Sequence, residues 1–140
     1  MELINFKILN TAIERILNKE LAEYEITYTQ ATVIGYLRHS TNKEICQKDI
    51  EANLGLAHPT VSSILCRMEE KGMIETKSMK SDKRYKTITL TPRAIEIADD
   101  IHNVIEKIKL QLFSGIKSGE QEVLDSIVTK LISNLEKIER

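Results

Sequence analysis

The sequence predicts a mainly α, α+β fold in which a small hairpin is set among helices. Three observations point to it. Between Ile45 and Thr91 two short amphipathic helical patterns are separated by Gly55 and restart at Pro59. Two strand-like segments follow at once, joined by a polar tip. Both ends of the chain repeat apolar residues at helical spacing.

Taken in order, Leu9, Ala12, Ile13, Ile16 and Leu17 make a broad apolar stripe, and the pattern breaks at Tyr24 to Ile26. Thr27 is a good N-cap, and Gln30 three residues on can reach back to its N–H, so a helix is predicted over Tyr28 to Arg38. Ile50 and Leu54 give one apolar face to a helix over Gln47 to Leu54, which Gly55 ends because glycine tolerates positive φ. After Ala57-His58-Pro59, a helix over Thr60 to Lys71 places Val61, Ile64, Leu65 and Met68 on one face. Gly72 terminates it. Ile74 to Lys77 and Lys86 to Leu90 read as strands, and Ser78 to Tyr85 between them as a wing. Beyond Thr91-Pro92, the residues Ile95, Ala98, Ile101, Ile105, Ile108 and Leu112 sustain a helix toward Ile116, with a break expected at Lys117-Ser118-Gly119. A last helix shows Leu124, Ile127, Val128, Leu131, Ile132, Leu135 and Ile138. This is a helix-turn-helix followed by a wing, over about residues 27–91, with helices over about 1–23 and 92–140 that pair two chains. All 140 residues fit a single domain.

Charge gives the unit its chemistry. The whole chain has a formal charge of −1, yet Lys77, Lys80, Lys83, Arg84 and Lys86 face only Asp82 within ten residues, a local charge of +4. A basic hairpin alone would read as a solvated surface; joined to a helix-turn-helix it reads as a nucleic-acid contact. The absence of a basic leader and of a long apolar run implies a cytoplasmic protein without membrane contact. Cys46 and Cys66 have neither disulfide-scaffold nor zinc spacing, and His39, His58 and His102 lack metal spacing. With no catalytic motif, no phosphate loop and no cofactor signature, an enzyme is not expected.

The chain resembles the MarR/SlyA group of bacterial winged-helix regulators. The resemblance rests on Ile26-Thr27-x-x-Gln30, Leu54-Gly55-Leu56, Thr60-Val61-Ser62, Met68-Glu69-Glu70-Lys71-Gly72-Met73-Ile74, the wing triplet Asp82-Lys83-Arg84, and Leu90-Thr91-Pro92 before a long helix. It implies a dimer formed through interlocked terminal helices, a repressor of an adjacent operon, and release by a small aromatic effector held between the dimerising helices and the winged unit. That effector region would include Ile13, Leu17, Tyr36 and His39. The unsupported apolar stripes at both ends favour the same homodimer, and a two-fold dimer expects a palindromic site in double-stranded DNA with half-sites about 10 base pairs apart.

At DNA, His58, Pro59, Thr60, Ser62 and Ser63 lie at the start of the second helix, where short polar groups meet base edges or phosphates, and Arg67 farther along suits the backbone. Thr60 has capping as its alternative role. Arg84 suits the narrow minor groove of A·T-rich DNA, Asp82 orients Arg84 or neighbouring cations, and Lys77, Lys80, Lys83 and Lys86 supply phosphate contacts. One position departs from the usual pattern: a small residue generally stands four before the turn glycine, and this chain has Glu51, either exposed or paired with Arg67 or another cation. Cys46 stands where relatives often carry Ser or Thr, at a helix start that can lower a thiol pKa. A redox- or metal-responsive regulator of the same fold, or a winged-helix module for protein partners, are the alternatives.

Overall fold

A computed structural model describes residues 1–140 and contains six α-helices and one two-stranded antiparallel sheet. Helix α1 (Ile4–Leu21) runs into a single 3-10 turn (Ala22–Tyr24), after which Glu25 adopts a left-handed conformation at φ 59° and bonds back to Ala22. Helix α2 (Tyr28–Arg38) begins with the expected capping box: Thr27 Oγ1 accepts from Gln30 N–H and Gln30 Oε1 from Thr27 N–H, both at 3.1 Å. Asn18 of α1 accepts the Tyr28 N–H at 2.7 Å, so α1 satisfies another of the free donors that open α2.

The helix-turn-helix consists of α3 (Gln47–Leu54) and α4 (His58–Glu70). Gly55 turns the chain at φ 66°, with its N–H on Glu51 O at 2.9 Å. Helix α4 starts two residues before the expected Thr60, with Ala57 as N-cap, because Pro59 in the first turn lacks only an N–H that would have no helical partner. Thr60 is therefore helical and caps nothing. At the far end Gly72, at φ 72°, donates to Glu69 O and Met73 donates to Met68 O, the paired closure of a Schellman stop.

Strands β1 (Ile74–Ser78) and β2 (Lys86–Leu90) pair from Ile74 opposite Leu90 to Ser78 opposite Lys86. Their alternation buries Ile74 and Ile88 and leaves Lys77 and Lys86 outside. Ile45, two residues before α3, joins the sheet edge, with Ile88 N–H donating to Ile45 O at 2.8 Å. The core lies beneath these elements: Leu21, Ile34, Ile50, Val61, Met68 and Met73 are fully buried.

Helix α5 (Pro92–Leu112) is started by Thr91, whose Oγ1 accepts from Ala94 N–H. The chain then turns at 113–117, around Gly115 at φ 78°, and α6 (Ser118–Glu139) follows. The expected break at Lys117-Ser118-Gly119 is thus displaced. Glu120 Oε1 reaches back to Lys117 N–H at 3.0 Å and makes Ser118 and Gly119 the first helical turn, while the left-handed residue is Gly115. By contacts the chain forms two compact units, residues 1–105 and 106–140. Helix α6 buries none of its residues.

A Cβ at Gly55 would meet nothing within 4 Å, so substitution there tests backbone conformation alone. Gly55→Ala is expected to lower stability by about 1–2 kcal/mol in urea unfolding, and Gly55→Asn by less, because asparagine enters the left-handed region more readily. Equal losses for the two would assign the effect to something other than φ.

Candidate nucleic-acid interface

The start of α4 is built against α3 by side chains of both helices. Gln47 Nε2 donates to His58 O at 3.2 Å and to Ser62 Oγ at 2.8 Å, so one amide fixes the first turn of α4. His58 Nδ1 lies 2.8 Å from Glu51 Oε2, and its side chain is 70% exposed. Glu51, which the sequence left exposed or paired with Arg67 or another cation, therefore pairs with His58. It is half-buried between the two helices, which is how a carboxylate is accommodated where a small residue is usual. Ala57 offers no side-chain oxygen to α4, leaving the first N–H groups without a side-chain cap. Pro59, Thr60, Ser63 and Arg67 are exposed, and Ser62 is half-buried under Gln47.

The wing is ordered by carboxylates. Asp82 Oδ1 accepts from Arg84 N–H at 3.1 Å and Arg84 Nε at 3.0 Å, and Oδ2 accepts from Arg84 Nη2 at 2.8 Å. The Arg84 side-chain bonds, and then its backbone N–H, hold the Asp82 carboxyl below the usual carboxylate range; the same pairing raises Arg84. Both groups stay charged, and the guanidinium, 83% exposed, is presented rather than neutralised by burial. Its Cζ also lies 5.8 Å from the centre of the Tyr85 ring, with Lys48 Nζ at 5.6 Å from the same centre. Glu44, in the segment before α3, accepts from Lys80 N–H at 3.2 Å and from Ser81 Oγ at 2.5 Å. Lys77, Lys80, Lys83 and Lys86 remain exposed.

These parts meet across one cleft of about 480 Å³, which Gln47, His58 and Ser62 line on the helical side and Arg84, Tyr85 and Lys86 on the wing side. Ser63 and Arg67 belong to the other flank of α4, where they line a smaller hollow of about 220 Å³ with Glu14, Asn18 and Gln30. Sequence reasoning did not identify Glu44, Gln47, Lys48 or Tyr85. Only Gln47 had a local signal, as a polar residue one turn before Glu51 on α3. Of the residues expected near an effector, Leu17 is buried in the core, Ile13 and Tyr36 are half-buried and His39 is exposed at the end of α2; neither cleft includes them.

Both thiols line the larger cleft. Cys46 Sγ donates to Asp49 Oδ2 at 3.4 Å and Cys66 Sγ lies 3.8 Å from Glu70 Oε1. No group of three or more His, Cys, Asp or Glu side chains is arranged to hold a metal ion. No helix is long and apolar enough to cross a membrane.

Comparison with known proteins places this arrangement. A family model described as MarR family matches residues 24–84, from the turn before α2 to the wing arginine. The chain is similar to Staphylococcus aureus MepR in a complex with DNA, at 26% identity and TM-score 0.85, covering 93% of each chain. It is likewise similar to the transcription regulator MarR from Oenococcus oeni, at 29% identity and TM-score 0.79, covering 91% of this chain and 96% of that one. A SlyA-like transcription regulator from Listeria monocytogenes shares the fold at 21% identity and TM-score 0.84, over 96% of this chain and 89% of the other. The family match lies over the helix-turn-helix and wing, and over nearly its full length the chain is similar to winged-helix transcription regulators of the MarR family.

Proposed function

We propose that the protein is a cytoplasmic, homodimeric, sequence-specific DNA-binding repressor released by a small-molecule effector. The observation that supports DNA binding best is the exposed Arg84, held by Asp82 at a basic hairpin tip, across a cleft from the exposed start of α4. In this reading the start of α4 enters the major groove through His58, Pro59, Thr60, Ser62 and Ser63, with Arg67 on the backbone. Arg84 enters the adjacent minor groove, and Lys77, Lys80, Lys83 and Lys86 neutralise phosphates. That MepR is described in complex with DNA supports the same partner for this chain.

A homodimer is supported by unsatisfied apolar surface. On α6, Leu124, Ile127, Leu131 and Leu135 follow helical spacing and are all exposed; so are Ile4, Ile8 and Leu9 early in α1. Stripes of this kind require a partner, and a second copy supplies an identical set. The winged unit, about 27–91, then contacts DNA while about 1–23 and 92–140 hold the pair. Repression, and release by an aromatic effector near Ile13, Leu17, Tyr36 and His39, are supported only by the resemblance to MarR-family regulators. To act as a switch, the effector must bind the DNA-incompetent dimer more tightly; a roughly tenfold preference supplies about 1.4 kcal/mol per site.

Fluorescence anisotropy over a salt series tests the wing. Arg84→Ala is expected to weaken operator binding strongly and to flatten preference for A·T pairs at the outer flanks. Lys83→Ala should lower affinity evenly and reduce the salt slope by about one unit. Unchanged affinity and flank preference in Arg84→Ala would remove the minor-groove role. Sedimentation tests the pairing: a chain lacking 126–140 should be monomeric, aggregated or unfolded and should lose binding to a palindrome, whereas a folded, tight-binding monomer contradicts it. Neither thiol is among the groups proposed to touch DNA, so Cys46→Ser and Cys66→Ser should keep DNA binding, and peroxide should leave the parent bound. Peroxide-induced release that disappears in Cys46→Ser would make the thiol the sensor.

A further inference from the structure

We infer that Glu51 is a specificity-determining positioning residue: it fixes the tautomer of His58, so that His58 Nε2 reads an exocyclic amino group of adenine or cytosine in the major groove. This rests on the DNA-binding reading above. Three side chains share a fixed number of protons. Gln47 Nε2 has two hydrogens, and three polar atoms surround it: His58 O at 3.2 Å, Ser62 Oγ at 2.8 Å and His58 Nδ1 at 3.0 Å. His58 O can only accept, so it is the amide nitrogen that faces it.

His58 Nδ1 cannot serve two partners at once. Were it to accept from Gln47, its lone pair would lie in the same region as Glu51 Oε2, only 2.8 Å away, and two acceptors would confront each other. With a hydrogen on Nδ1, that hydrogen goes to the closer, charged Glu51, and the two Gln47 hydrogens go to His58 O and Ser62 Oγ, which leaves the 3.0 Å approach of Gln47 Nε2 to Nδ1 as a contact without a hydrogen bond. In the neutral ring this leaves the Nε2 lone pair as the outward polar group of a side chain 70% exposed at the start of α4.

The base read follows from groove chemistry. An acceptor matches the N6 amino group of adenine or the N4 amino group of cytosine, and is mismatched to guanine O6 and N7 and thymine O4, which are acceptors themselves. An unconstrained histidine, able to exchange tautomers, would read donors and acceptors alike. Glu51 thus adds discrimination without touching DNA, and its own charge is confined to the His58 bond and the α3–α4 crevice. This also gives a reason for a carboxylate at a position that usually holds a small residue.

The test has two arms. In the free protein at about pH 8, where imidazole is ordinarily neutral, nitrogen NMR of labelled histidine should show His58 protonated at Nδ1 in the parent and in Glu51→Gln, whose carbonyl still accepts. In Glu51→Ala it should shift toward the mixed or Nε2–H form. In the second arm, affinity is measured on operators varied one base pair at a time. The parent and Glu51→Gln should prefer an amino-bearing base at one position by about fivefold or more, and Glu51→Ala and His58→Ala should lose that preference while keeping the rest of the profile. An Nε2–H tautomer in the parent, or an unchanged base preference in Glu51→Ala, overturns the assignment. A parent that binds no DNA with sequence preference overturns the DNA-binding reading instead, and with it the base contact, while the NMR arm still reports whether Glu51 sets the tautomer.

Discussion

Thr91 is where the parts of the winged unit are tied together. Its side chain donates to Gly72 O at 2.6 Å and accepts from Ala94 N–H at 3.2 Å, and its own N–H reaches Met73 O at 3.1 Å. One nearly buried residue thereby joins the stop of α4, the return of the wing and the start of α5. Arg93 reinforces the junction by donating to Lys71 O at 2.8 Å. Relative placement of the α4 start and the Arg84 tip depends on this knot, because β1 leaves α4 within four residues and β2 ends beside Thr91. A wing that swung independently would have to re-order its cations on every encounter with DNA, and that ordering would be subtracted from affinity.

Acidic residues do the corresponding work at the interface. Asp82 holds Arg84, Glu44 holds the backbone and hydroxyl of the wing tip, and Glu51 holds His58. All three pairs reach the surface, where ion pairs add little stability, so their contribution is geometric. In the proposed complex the +4 charge of the wing would attract phosphate at long range, whereas the carboxylates set where individual side chains point. Charge balance in this region is therefore a record of orientation as well as attraction.

Most element boundaries were legible because they are written in residues with a single local meaning. Thr27 with Gln30, Gly55, Pro59, Gly72 and Thr91-Pro92 each act within a few positions, and the helices and strands they delimit follow. The turn before α6 was misplaced because Gly119 looked like the breaker, while a backbone bond from Lys117 to Glu120 lets the helix absorb it and leaves Gly115 to make the turn. At the candidate interface, the basic cluster and the start of α4 could be read directly, since both are contiguous. The partner of Glu51 could not, because the α3–α4 crossing decides which cation it meets. Glu44 lies 36 residues from Lys80, a pairing that only the Ile45–Ile88 bridge brings about. Arg67 and Ser62 differ in sequence by five positions yet lie on opposite flanks of α4, which periodicity alone does not relate to the wing.

The continuity of α5 bears on how such a protein would be switched. The helix starts at the Thr91 knot and runs without interruption to Leu112, past residue 105 where the first compact unit ends. Its early turns are anchored in the core by Ala94, Ala98 and Ile101, which are buried, whereas Leu110 and Leu112 are exposed. In the dimer proposed above, the near end of α5 is tied through Thr91 to the stop of α4, so pairing with a second copy would act on the α4 start through this junction. Under that reading an effector would need no contact with α4: a ligand that prefers one pairing geometry would change the separation of the two α4 helices. Half-sites one helical turn apart would tolerate little error in that separation, so a small displacement of the paired chains would be enough to uncouple one α4 start from its groove.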